Sequence, residues 1–242
     1  MVFDTNIWIS YVAKNWPAGI IDQIKEKRDS GEIILLTNDI IIQEWERNKE
    51  TTLKDVAKKA DEVFSYTKKM FENFDDEMED KYGELVKDFL SHRSEFIETA
   101  KQQVEETEKL IKECDVTPIT DEMKIKAAEW ALQKQAPFIK NKNSVADAII
   151  ILSSAQYLRE KSIGITDSIF VSYNHEEFSS KEDKDKIHPD LEDLLKEANM
   201  TFTRHLGKAL RLPDKMLKEI DEYIEYRVQD WIETQAEIAR GK

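Results

Sequence analysis

VFDTNIWIS, residues 2–10, is the stretch on which the reading of the whole chain turns. Val2 and Phe3 lead into an acidic residue and Ile7, Trp8 and Ile9 follow it, so the stretch reads as a buried first strand with Asp4 inside it. An apolar run this short suits a parallel strand covered on both faces. A carboxylate taken out of water there is costly unless something compensates it. Two compensations fit. Asp-Thr-Asn at a strand end can hydrogen-bond its own backbone as a turn. Alternatively, Asp4 is a metal ligand at the carboxyl end of a strand, where open α/β sheets keep their sites. The choice rests on partners elsewhere in the chain.

Composition narrows the field. The 242 residues allow one domain with an insertion or two small domains. Fifty acids against 36 bases give a net charge of -14, which argues against a general nucleic-acid coat or a membrane-surface binder while leaving room for a local basic patch. Cys114 is the single cysteine, so no intramolecular disulfide and no cysteine-rich zinc site can form, in keeping with a reducing cytoplasm. No apolar run reaches the roughly 20 residues of a membrane span, and a core-like strand at residue 2 leaves no signal peptide. The four histidines, His92, His175, His188 and His205, show no close ligand spacing, and six glycines with five prolines favour long helices.

Outward from the first strand, Tyr11 to Arg28 has helical spacing at Ile20, Ile21 and Ile24, and Asp29-Ser30-Gly31 ends it. Ile33 to Thr37 is a second buried strand, after which Asn38 or Asp39 caps a helix containing Glu44 at the edge of an apolar stripe. Thr52 to Cys114 carries no strand signal; its apolar residues recur at helical spacing, with a bend expected between Phe74 and Gly83. Residues 51–114 therefore form an inserted antiparallel helical hairpin, either simply packed and solvated or gripping a partner. Thr120 caps a helix over Asp121 to Gln135, and the polar loop Lys140 to Ser144 leads into the apolar helix of VADAIIILSSAQYLREK. Asp147 lies in its first turn, where it serves either as the third residue of a Ser144 cap or as a partner of Asp4, with small neighbours letting the helix lie close to the sheet. Ser168 to Ser172 is a further strand, with Asp167 before it and Asn174 and Glu177 after it. Leu191 to Ala198 is a helix, Met200 to Thr203 a last short strand, and 207–242 a helical C-terminal extension that docks on the core or makes an oligomer contact.

In this order, apolar-Asp4-Thr5-Asn6, Glu44 in an apolar helix after the second strand, Asp147 in Ala-Asp-Ala-Ile, and Ser172-x-Asn174-x-x-Glu177-Phe178 at a later strand end, the sequence resembles the PIN-domain nucleases. The resemblance covers a core of 1–50 and 115–206 and implies an α/β fold, a parallel sheet flanked by helices, here with the inserted arm and the helical tail. It assigns Asp4, Glu44 and Asp147 as acidic metal ligands and Asn174 to a fourth position that is often Asp, with Asn6 and Ser172 as supports. Asn174 leaves that corner one negative charge short, which Asp167 or Glu177 could supply.

Three converging carboxylates repel and raise one another's pKa, and a hard divalent cation relieves the repulsion. An all-oxygen donor set without His or Cys suits Mg2+ or Mn2+ better than Zn2+. What the resemblance then implies is hydrolysis of RNA at internal phosphodiester bonds by metal-activated water, in a toxin, a defence effector or a housekeeping ribonuclease. Arg47 and Lys49 beyond Glu44, with Lys140 and Lys142 before Asp147, are candidate phosphate contacts. Other expected partners are an antitoxin or other protein on the arm and a second copy of the chain. Two rivals stand beside the nuclease. A haloacid-dehalogenase phosphatase needs a second Asp at position 6, which is Asn6. A catalytically weak PIN-like scaffold acting through its arm is the other.

Overall fold

The computed structural model describes residues 1–13, 19–139, 144–161 and 167–212. The first strand is shorter than the sequence implies: β1 is Val2–Phe3, and Thr5–Ala13 is already helix α1. An Ile-Trp-Ile run has no period of its own at this length, and helix and strand compete for it. Packing decides for the helix, burying Ile7, Trp8 and Val12, with Trp8 tilted against Phe3 at 5.1 Å between ring centroids. Helix α2, Ile20–Asp29, buries Ile20, Ile21 and Ile24 and gives way at Gly31, whose φ of 76° a side chain would resist. The helix expected from Tyr11 to Arg28 is divided between the end of α1 and α2, and Thr5 to Ser10, expected with the strand, is helical.

Strand β2 is only Leu36–Thr37, and Ile34, expected inside a buried strand, is exposed. Asn38 then caps α3, Asp39–Phe71, by accepting from the Ile41 amide at 3.0 Å. This helix is continuous over 33 residues, carrying Glu44 at its base and running on without a break through residue 51. Helices α4, Asp76–Ser91, and α5, Arg93–Lys112, complete the arm, so three helices stand where a two-helix hairpin was expected. Helix α5 returns along α3, and Lys49 of α3 bridges Glu108 of α5 at 2.6 Å.

The chain re-enters the sheet through β3, Asp115–Val116, a strand with no signal in the sequence because both residues are exposed and it pairs only with β2. Helix α6, Asp121–Gln133, starts at Thr120 as expected, whereas Ser144 makes no side-chain cap on α7, Val145–Glu160. Strand β4, Ser168–Val171, the short helix α8, His175–Phe178, helix α9, Pro189–Glu197, strand β5, Met200–Thr203, and helix α10, Leu206–Ala209, follow. The expected tail beyond residue 212 lies outside the described residues.

All five strands are parallel, in the order β3-β2-β1-β4-β5. The chain builds outward from β1 to one side through β2 and β3, then crosses to the other side for β4 and β5. Such a reversal leaves a crevice beyond the carboxyl ends of the strands at the switch, here β1 and β4. Ala148, Ser154 and Ala155 of helix α7 are buried, and its buried Ser153 accepts from Asn38 Nδ2 at 2.8 Å and from Thr117 Oγ1 at 3.2 Å. No helix among the described residues is long and apolar enough to cross a membrane.

Candidate functional site

Strand pairing sets the first two groups of the site. Phe3 is in register with Val171, so the next residue of each strand, Asp4 and Ser172, emerge side by side at the carboxyl edge. Both are buried. Ser172 Oγ donates to Asp4 Oδ2 at 2.5 Å, and Asn6 Nδ2 donates to the same oxygen at 2.6 Å. Asn6 also accepts from the Tyr173 amide at 3.1 Å, tying the start of α1 to the end of β4. Because the helix begins directly after Asp4, Thr5 is placed to donate from Oγ1 to Glu44 Oε2 at 2.6 Å. Thr5 was not among the residues expected here. Its only sequence signal is a hydroxyl beside the first acid.

The second half of the site comes from α7 and the turn after β4. The Asn174 amide donates to Ser172 Oγ at 3.0 Å, and Asn174 Nδ2 donates to Glu177 Oε2 at 2.6 Å. Glu177 is 1% exposed, an unusual place for a glutamate. Its carboxyl is hydrogen-bonded to that of Asp147. The Asp147 carboxyl is held well above the usual carboxylate range, first by burial and then by the charges of Asp4 and Glu177, that hydrogen bond, and Glu44. Asp4 is also raised by burial, against the pull of the Ser172 hydroxyl, with Glu44 and Glu177 adding repulsion. Asp4, Glu44, Asp147 and Glu177 therefore act on one another as one electrostatic unit.

The expected fourth corner differs in detail. Asn174 faces Glu177, donating to its carboxyl from Nδ2. Asp167 is in no position to supply the charge that Asn174 lacks: one residue before β4, it lies at the opposite edge of the sheet, accepting from Arg211 at 3.3 Å. It lines a cavity of about 490 Å³ there with Met1, Tyr157 and Lys161, remote from the carboxylates. Lys49 is ion-paired within the arm, with Glu46 at 2.8 Å and Glu108 at 2.6 Å. Arg47 is exposed and donates to the Gln43 carbonyl of its own helix at 3.1 Å. Lys140 and Lys142 lie outside the described residues.

The groups at the crevice are carboxyl, amide and hydroxyl oxygens, and the thiol of Cys114 is buried elsewhere, donating to Leu110 O at 3.2 Å. That chemistry fits a hard divalent cation. Among the described residues no three His, Cys, Asp or Glu side chains stand in coordination geometry about a common point. The carboxyls are held instead by hydrogen bonds to one another and to Ser172, Asn6, Thr5 and Asn174.

Comparison with known proteins gives one finding of weight: a family model, the PIN domain, matches residues 1–178. No curated protein and no solved structure matches the chain significantly. Since the family match runs from β1 through Phe178, well over half of the 242 residues, the chain belongs to the PIN-domain family, whose members are generally nucleases that use divalent metals.

Proposed function

We propose that this chain is an endoribonuclease dependent on Mg2+ or Mn2+, hydrolysing RNA to 5′-phosphate and 3′-hydroxyl ends. One observation carries the reading: Asp4, Glu44, Asp147 and Glu177, distant in sequence, gather at the switch point of a PIN-domain sheet with two of them held above their ordinary pKa. These four residues would hold the ion, which when bound would supply an activated water and stabilise charge on the scissile phosphate.

The remaining work falls to the protein's own groups. Ser172 and Asn6 fix Asp4 through a single oxygen, and Thr5 does the same for Glu44, so neither carboxylate has to be ordered when the site loads. Asn174 is a positioning residue that orients Glu177. Asp147, whose carboxyl is raised by burial and neighbouring charges, gives up its proton to take a cation, which makes loading easier as pH rises. Arg47, Lys140 and Lys142 are the basic groups proposed to meet backbone phosphates.

The test is cleavage of an end-labelled RNA pool in EDTA, Mg2+ and Mn2+. Cleavage is expected only with metal, falling to background in Asp4→Asn and Glu177→Gln and by about 10–100-fold in Asn174→Ala. Parent-rate cutting by Asp4→Asn, or cutting in EDTA, would end the reading. Full activity in Glu177→Gln would return the fourth position to Asn174. A folded parent that neither cuts nor is stabilised by either metal takes the scaffold role instead.

A further inference from the structure

Helix α4 is amphipathic, yet Gly83 is its one buried residue. The reason lies in how it docks. A Cβ at Gly83 would stand 3.6 Å from the Phe71 ring of α3, so α4 rests on the arm through its glycine side. Its apolar residues Met78, Tyr82 and Leu85 stand exposed at helical spacing, Leu85 at 68%. Phe89 closes the stripe by stacking on Phe64 at 4.8 Å between ring centroids. Apolar faces of this kind, left in water and rimmed by polar groups, mark sites of association.

Charge selects the occupant. From its cap at Asp75 to Ser91, α4 carries seven acids, including Glu77, Glu84 and Asp88 along one flank of the stripe, against Lys81 and Lys87. Both lysines are engaged within the arm, Lys81 over the Tyr82 ring at 5.2 Å and Lys87 over the Phe71 ring at 5.7 Å. The same helix of a second copy would bring the same acids face to face, and RNA or an anionic membrane would be repelled. We propose that the outer face of α4 docks a basic amphipathic helix of a protein partner, laying apolar anchors on Met78, Tyr82 and Leu85 and basic side chains on the acidic flank. The proposal stands independently of the nuclease reading.

The test uses fluorescence anisotropy with the full chain and two labelled model peptides, a cationic Leu/Lys amphipathic helix and its Leu/Glu counterpart, at physiological salt. The cationic peptide alone is expected to bind. Met78→Ser with Leu85→Ser should weaken it at least tenfold, and Glu77→Gln with Glu84→Gln should weaken it and flatten its salt dependence. Leu132→Ser, which alters an exposed apolar residue on α6, should leave binding at the parent level and serves as the control. Unchanged melting temperatures would show that the variants fold. No binding of the cationic peptide, equal binding of both peptides, or an equal loss in Leu132→Ser overturns the proposal. So does a concentration-dependent dimer in sedimentation that the Met78→Ser, Leu85→Ser protein lacks, because the occupant would then be a second copy.

Discussion

Asp147 shows how a residue useful to a site can be costly to the fold. It sits in the first turn of α7, where the helix dipole favours a negative charge by about 0.3–1 kcal/mol. Burial and the charges of Asp4, Glu177 and Glu44 act against ionisation and win, since its carboxyl is raised. The pH consequence follows from the direction of that shift. Below the ordinary carboxylate pKa of about 4, Asp147 is protonated in both folded and unfolded chains and no stability is lost. As pH rises from there through the raised folded value, the unfolded chain ionises first and stability falls, with the full penalty above it. In EDTA at pH 8, Asp147→Asn should therefore be more stable than the parent by about 1–2 kcal/mol, and near pH 4 the two should coincide. Millimolar Mn2+ should stabilise the parent and close the gap. Urea denaturation at the two pH values measures this, and a variant less stable than the parent at pH 8 without metal would contradict it. At this scale the sequence was informative about the acids, because a buried Asp needs a reason. It said nothing of Thr5 serving Glu44, since the contact exists only once α1 starts directly after Asp4.

At the scale of elements, α3 connects the site to the arm without a joint. Its position along the sheet is set at Asn38, which is buried, accepts from the Ile41 amide and donates to Ser153 of α7. Asn38→Ala removes a helix cap and leaves the Ile41 amide without that acceptor. The expected cost is about 2–3 kcal/mol in denaturant unfolding, with Asn38→Asp intermediate because it keeps the cap and loses the donor. A loss under 0.5 kcal/mol, on the order of an ordinary surface change, would show that α3 is positioned by packing alone. The capping signals at Asn38 and Thr120 were legible because they act within three residues. The strands were less so. Three of the five are two residues long, too short for any alternation to appear, and β3 is defined by its neighbour β2 rather than by its own residues.

Across the whole molecule, a net charge of -14 has to be reconciled with a proposed polyanionic substrate. Basic residues can help only where they are not already paired within the fold. Lys49 is paired, bridging α3 to α5 through Glu108, whose carboxyl the Lys112 and Lys49 ammonium groups hold below its usual range. Lys49→Ala should therefore leave the salt dependence of RNA binding unchanged and lower stability by about 0.5–1 kcal/mol, the scale of a partly exposed pair. A salt slope reduced by about one in log-log units would instead return Lys49 to the substrate path.

Local chemistry and pattern were enough to determine much of this protein. An acid at the end of an apolar first strand, a long amphipathic middle segment and the helix caps are properties of short windows, and the resemblance read from the sequence rests on the order of Asp4, Glu44, Asp147 and Asn174. Tertiary structure alone decided which groups meet. Whether Asp167 or Glu177 completes the cluster depends on the edge of the sheet at which each emerges, ten residues apart across β4, and whether Lys49 faces solvent depends on the return of α5. The exposure of the α4 stripe likewise depends on contacts with another helix, Gly83 beside the Phe71 ring and Phe89 stacked on Phe64. Sequence windows carry propensity and chemical type, whereas strand order, register and the burial of charge arise from contacts between residues far apart in the chain.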